Sequence, residues 1–284
     1  MKVFYTPKMV AHAGGDSPSP HKPPLVVQAW RDAGIPLAIE EPDPVTVDDF
    51  ALVHDKSHVD DILALRKDNG FGNRDPEIAA SLPFTNGSML AAARWAVAHQ
   101  SAAAAPCSGF HHAEWEEASM FCTFNGLMVA AARLRAEGAV KRVAILDCDM
   151  HYANGTEHII RRLGAADWVE HITAPKGYKR TPGLLDELPA IIARFADCDV
   201  VLYQAGADPH VDDPYGGYLT TEQLAQRDRI VFSECQRHGL PIAWNLAGGY
   251  QDDLNKVIEI HVNTALACEA EYPVPMERPR SSLQ

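Results

Sequence analysis

Asp147, Asp149 and His151 stand at alternate positions just after an aliphatic run, and their types are those that hold a divalent cation. Two carboxylates and an imidazole give a mixed oxygen and nitrogen donor set with room left for water, as hydrolytic metal chemistry requires. Strand side chains alternate with period two, so all three project to one side where the strand ends. Asp208 closes a second such run, and we assign Asp149, His151 and Asp208 as metal ligands. Asp147, one step deeper, is placed to orient an imidazole rather than touch the metal. A third run ends in Gly248-Gly249-Tyr250, where glycine lets the backbone approach closely and the tyrosine hydroxyl can meet a developing oxyanion. His111-His112 follows a fourth, short strand, and imidazoles transfer protons near neutral pH. Taken singly these signals are weak. A histidine pair is commonly a loop or core hydrogen-bonder, Asp-x-Asp a solvated turn, Asp208 a helix cap and Gly-Gly-Tyr a tight turn. Their occurrence at successive strand ends carries the inference, because a parallel sheet delivers all such ends to one edge.

The elements that must do this positioning are readable from the pattern. Residues 2–5 read as a strand and 7–24 as a long Pro, Gly, Ser and His loop, often a site wall. Ser57 is placed to cap a helix through 58–63, and 87–99 is an Ala-rich helix. Then strands at 142–147, 168–173, 199–203 and 241–246 alternate with helices near 125–137, 154–162, 184–195, 221–237 and from about 252. Strand–helix alternation implies right-handed crossovers and a mostly parallel sheet with helices on both faces. We expect a single α/β domain over 1–271, with a loose tail over 272–284.

At 284 residues and 46% hydrophobic composition the chain can bury a full core. A formal net charge of -13 argues against a nucleic-acid groove or an anionic membrane surface as partner. Six scattered cysteines without a C-x-x-C read as buried thiols of a reducing, cytoplasmic compartment. No stretch reads as a membrane span or secretory signal, so the whole chain reads as mature protein.

The segments Gly109-Phe110-His111-His112-Ala113-Glu114, Phe121-Cys122-Thr123-Phe124-Asn125, residues 147–156, Ala205-Gly206-Ala207-Asp208 and Gly248-Gly249-Tyr250 together resemble the zinc-dependent histone deacetylase superfamily of arginase-like fold, which includes bacterial acetylpolyamine amidohydrolases. The resemblance covers nearly the whole chain. It implies zinc on Asp149, His151 and Asp208, with ferrous iron an alternative for the same donors. It makes His112 the general base and acid, His111 an electrostatic assistant paired with Asp147, and Tyr250 the group that polarises the amide carbonyl. Phe121 then lines the slot for an acyl-lysine-like chain, and a structural potassium ion sits near the 147–151 turn. Asn154 stands where one class carries aspartate and the class II subgroup asparagine; a neutral partner leaves His112 more readily unprotonated.

Three departures bear on the substrate. Met120 replaces the usual glycine before Phe-Cys, which implies a narrowed or reshaped slot. The 173–186 connection is shorter than the family's, with Tyr178 a candidate for its aromatic wall. Tyr215 aligns with a rim position whose glutamate goes with polyamine preference. These tilt the expected substrate toward acyl-lysine or a small acylated metabolite, with an acetylpolyamine as the alternative. Two other readings are a binuclear manganese ureohydrolase, which would want D-x-H-x-D where this chain has D-x-D-x-H, and an inactive binding homologue. Oligomeric state is left open by the sequence.

Overall fold

A computed structural model describes residues 1–12, 17–173 and 183–273. Seven strands form one parallel sheet: β1 (Lys2–Phe4), β2 (Ala38–Glu40), β3 (Ala102–Ala105), β4 (Val143–Asp147), β5 (Val169–Thr173), β6 (Val200–Gly206) and β7 (Ile242–Ala247). Their order across the sheet is β2-β1-β3-β7-β6-β4-β5. The chain therefore leaves β3 for the far half of the sheet and returns to fill the middle last. The helices are α1 (Lys22–Asp32), α2 (Val47–Phe50), α3 (Lys56–Leu63), α4 (Pro76–His99), α5 (Gly126–Ala136), α6 (Asn154–Leu163), α7 (Leu184–Ala193), α8 (Thr221–Arg237) and α9 (Leu254–Glu271).

The central strands are buried on both faces, and alternation sorts their side chains between two cores. Ala103, Ala105, Val143, Ile145, Val200, Leu202 and Ala243 face one core, which α2 to α6 close with residues such as Phe50, Ile62, Met89, Leu127 and Ile159. Ala102, Ala104, Ala144, Leu146, Val201, Tyr203, Trp244 and Leu246 face the other, closed by Trp30 of α1, Leu188 of α7, Phe232 of α8 and Cys268 of α9. Every cysteine is buried and free, as expected of thiols that act as small apolar side chains. Among the described residues no helix is long and apolar enough to cross a membrane.

Several sequence expectations need correction. The segment read as an unbroken loop holds a short 3-10 turn at Pro7–Met9 and the start of α1 at Lys22. Prolines 23 and 24, taken as breakers, occupy the first turn, where a missing N–H costs nothing. Asp55, not Ser57, caps α3, its carboxylate accepting from the amides of Ser57 and His58. Helix α4 starts at Pro76 rather than near residue 87 and runs through Pro83, whose carbonyl accepts from the Val45 amide. Tyr272, placed in a loose tail, is buried with its hydroxyl donating to the Leu240 carbonyl at 3.0 Å; residues 274–284 lie outside the described residues.

Candidate active site

The carboxyl ends of β3, β7, β6 and β4 are neighbours in the sheet, and each leads into a loop that delivers polar side chains to one place. Strand β4 ends on Asp147, and the residues beyond it are held in turn by carboxylates. The Asp149 amide donates to Asp147 Oδ1 at 3.0 Å, and the His151 amide donates to Asp149 Oδ1 at 2.9 Å. From β6 comes Asp208, whose Oδ1 accepts from the Met150 amide at 3.2 Å. His151 Nδ1 then lies 3.1 Å from Asp149 Oδ1 and 3.0 Å from Asp208 Oδ2. One ligand atom from each of Asp149, His151 and Asp208 falls within 4.8 Å of the others, the arrangement expected of residues that share a cation. Asp208 Oδ2 is buried with no well-aimed donor among the described residues, and an acceptor left this way in the interior wants a cation. The residues present therefore fit a metal ion.

The electrostatics point the same way. Burial and the charge on Asp149 push the Asp208 carboxyl up. Burial acts on Asp149 in the same sense, but His111 and His151 outweigh it and hold that carboxyl low. The carboxylates of Asp149 and Asp208, close against its Nδ1, raise the His151 imidazole to about 10, so positive charge is favoured where the three residues meet.

The paired histidines arrive from the loop after β3, an all-alanine strand, and their rings lie 4.1 Å apart. His111 Nδ1 is 2.8 Å from Asp147 Oδ2 and its Nε2 is 3.5 Å from Asp149 Oδ1. Burial opposes a charge on His111, but Asp147 and Asp149 prevail and raise it to about 9. His112 Nδ1 is 2.6 Å from Oδ1 of Asn154, the first residue of α6. Burial and the neighbouring His111 push the His112 imidazole down to about 4, so it is neutral and able to accept a proton at pH 7.

Tyr250 follows Gly248 at φ +54° and Gly249 at φ +90°. A Cβ on Gly248 would sit 2.4 Å from the Asp208 carboxylate and one on Gly249 2.4 Å from Val257, so this turn packs directly on a candidate ligand. Burial, then the charges of Asp149 and Asp208, raise the Tyr250 phenol, which keeps its proton for donation. The Tyr250 amide donates to Asp213 Oδ2 at 2.8 Å.

His112, Met120, Phe121, His151, Tyr215 and Tyr250 line a cleft of about 230 Å³. The Phe121 ring lies 5.7 Å from that of Tyr250, and Tyr215 stands edge-on to Tyr250 at 4.9 Å. Met120 and Phe121 are consecutive non-glycine residues at φ +47° and +66°, a conformation that costs on the order of 1–3 kcal/mol per residue. Glycine is the residue this backbone prefers at position 120, and here its place is taken by a methionine left 55% exposed. The methionine thus stands at the cleft mouth and does not plug its floor. Tyr178 lies outside the described residues.

Four groups that support these residues were not singled out from sequence. Gln204 Nε2 donates to both Asp147 oxygens at 3.2 and 3.1 Å while its Oε1 accepts from the Phe110 amide at 3.0 Å. Fully buried Arg227 of α8 donates to the carbonyls of Cys148 and Gly206 at 3.3 and 2.6 Å and pairs with Asp228 at 2.9 Å. Buried Lys22 donates to the Gly248 carbonyl at 2.6 Å. His54 Nδ1 bonds the Glu114 carbonyl at 2.8 Å, and its Nε2 accepts from the Asn125 amide at 2.9 Å. The one signal in the sequence was a polar residue inside an apolar run, as with Gln204 in Val-Val-Leu-Tyr-Gln-Ala-Gly.

The histone deacetylase domain model matches residues 18–167 and 184–265, most of the chain. The chain belongs to this family. A probable deacetylase of Methanothermobacter thermautotrophicus is 23% identical over 265 residues, covering 80% of this chain and 78% of that protein. Rice histone deacetylase 10, chloroplastic, is 27% identical over 264 residues, covering 75% of this chain and 59% of its own length. An uncharacterized protein of Picosynechococcus is 29% identical over 172 residues, 54% of this chain and 57% of that protein. The chain thus spans little more than half the length of two of these relatives. Among solved structures, the HDA15 HD domain superposes with a TM-score of 0.75 at 18% identity over 96% of this chain and 90% of that one. An acetylpolyamine aminohydrolase from Burkholderia pseudomallei gives 0.74 at 20% identity over 95% and 99%. Both are the same α/β fold, a parallel sheet flanked by helices.

Proposed function

We propose that this histone deacetylase family member hydrolyses an acylated amine, with zinc held by Asp149, His151 and Asp208. The observation that carries this reading is the meeting of those three donor atoms beside a neutral buried imidazole and a protonated phenol in one cleft. Zinc bound there would polarise the acyl carbonyl and acidify water. His112 takes the proton from the attacking water and returns it to the departing nitrogen. Tyr250 donates a hydrogen bond to the oxygen on which charge develops, the kind of fixed donor worth most in a dry site. His111, kept cationic by Asp147 and Asp149, adds positive charge on the same side. Ferrous iron would suit the same donors. Among the described residues the cleft rim is aromatic and apolar, with Met120, Phe121 and Tyr215, and its lining there holds no carboxylate for a polycation, which favours acyl-lysine or another small acylated amine over an acylpolyamine.

The test is a panel of acyl-lysine peptides, acylpolyamines and small acyl amides against the zinc-loaded chain and its His112→Ala variant. The expected result is turnover of acyl-lysine by the parent and a loss on the order of 10²–10⁴-fold in the variant with zinc still bound. Unchanged turnover in the variant would overturn the role of His112. Two manganese ions per chain would favour a ureohydrolase instead, and full zinc occupancy with no turnover of any amide would favour a binding protein.

A further inference from the structure

The segment after the paired histidines ends on Glu114, a residue with no part in the scheme above. Its side chain is 28% exposed, with one carboxylate oxygen hydrogen-bonded and the other close to a histidine. Oε1 accepts from Asn154 Nδ2 at 2.8 Å, and Oε2 lies 2.7 Å from His158 Nδ1 on α6. The backbone of Glu114 is pinned as well, since its carbonyl bonds His54 Nδ1 at 2.8 Å and its amide donates to the Glu117 carbonyl.

This placement decides a question that asparagine leaves open. An amide presents a donor on one side and an acceptor on the other, so Asn154 could meet His112 with either. A carboxylate only accepts. The Asn154 NH₂ must therefore turn to Glu114, which leaves the carbonyl oxygen to face His112 Nδ1 at 2.6 Å. A carbonyl also only accepts, so the His112 proton sits on Nδ1 and the lone pair on Nε2. An aspartate at position 154 would need no such help, because both of its oxygens accept.

We propose that Glu114 is a positioning residue: by holding the Asn154 amide in one orientation it fixes the His112 tautomer that leaves Nε2 free to take a proton. The inference rests on the reading of His112 as the base.

The test compares the zinc-loaded full chain with Glu114→Gln, Asn154→Asp and the double variant. Imidazole ¹⁵N shifts of His112 report the tautomer, and steady-state kinetics on an acyl-lysine peptide report kcat and KM. In Glu114→Gln the new amide can donate to Asn154, turning the latter's NH₂ toward His112. The expected result is a shift of the His112 proton from Nδ1 to Nε2 and a fall in kcat on the order of tenfold, the usual cost of losing an orienting partner, with KM and zinc content unchanged. In the double variant the amide introduced at position 114 donates to a carboxylate at position 154 that accepts from His112 on its own, so the Nδ1–H tautomer and most of kcat return. A merely structural glutamate would show no such recovery. Because a glutamine amide also carries an acceptor, Glu114→Leu, which offers none, is the companion variant: an unchanged tautomer and kcat in both Glu114→Gln and Glu114→Leu, or a double variant slower than or as slow as Glu114→Gln when that variant is impaired, overturns the proposal. Should the parent hydrolyse no acyl amide, the functional reading fails separately, while the nitrogen shifts still decide what Glu114 does.

Discussion

The floor of the site and its rim are built on opposite terms. On the floor, Asp147, Asp149, Asp208, Gln204 and Arg227 are buried on or beside the central strands, each tied to groups at a neighbouring strand end. At the rim, Met120, Phe121 and Tyr215 come from loops, with Met120 and Tyr215 half exposed and the first two held at positive φ. The floor fixes charges in place, which electrostatic catalysis demands. The rim is free to vary, which substrate selection demands. The expected division is that reaction type rests with the strand ends and substrate choice with the loops of the rim.

The contrast can be broken from the floor first. Asp208→Asn removes a ligand charge from the triad; we expect loss of zinc by elemental analysis and of all turnover, and retention of stoichiometric zinc would count against the assigned ligand set. Arg227→Met leaves Asp228 buried without its cation, a change that costs about 3–5 kcal/mol, read as a lower urea midpoint; an unchanged midpoint would show that the clamp on Cys148 and Gly206 is dispensable.

Acid tests the layer between floor and rim. Burial holds His54 down at about 3, below its unfolded value of about 6.5. Between those values the unfolded chain binds a proton that the native chain refuses. Stability therefore rises with pH through this window and is lost as pH falls from about 6.5 to 3, at up to about 1.4 kcal/mol per unit. Urea midpoints between about pH 7 and 4 should show this slope, flattened in His54→Gln. Neighbouring His58 is buried with neither ring nitrogen hydrogen-bonded among the described residues, so His58→Leu should leave stability at pH 7 equal or higher by up to about 1 kcal/mol. A marked loss would reveal a partner for that ring. Smallest is the rim: Met120→Gly relieves the left-handed strain while loosening the unfolded chain, so stability should shift by less than about 1 kcal/mol and Tm with it. Its visible effect is a several-fold change in KM for bulky acyl amides, and a large change in kcat for acetyl-lysine would blur the division drawn above.

The sequence exposed the floor better than the frame around it. Asp149, His151 and Asp208 were legible because polar residues ending apolar runs have few structural uses, and the central strands were legible because they are largely aliphatic. Strand β2 and helix α1 were not. The first is a three-residue edge strand with two exposed side chains and no alternation to read, and the second hides behind two prolines that serve as its first turn. Helix α4 was cut short for a related reason, since Pro83 signals a break although the helix runs through it from Pro76 to His99. Arg227 and Lys22 were invisible as site residues because the site groups they hold are backbone carbonyls far away in sequence, and Gln204 showed only as a polar residue in an apolar run.

Strand β7, last in chain order among the described strands, is inserted between β3 and β6 and joins the two halves of the sheet. A chain interrupted before residue 242 would carry the paired histidines on one three-stranded piece and the acidic residues on another, each with a raw edge open to pairing with strangers. The arrival of residues 242–247, rather than of any residue near the front, is then the step at which this molecule both closes against aggregation and first holds its reactive groups together.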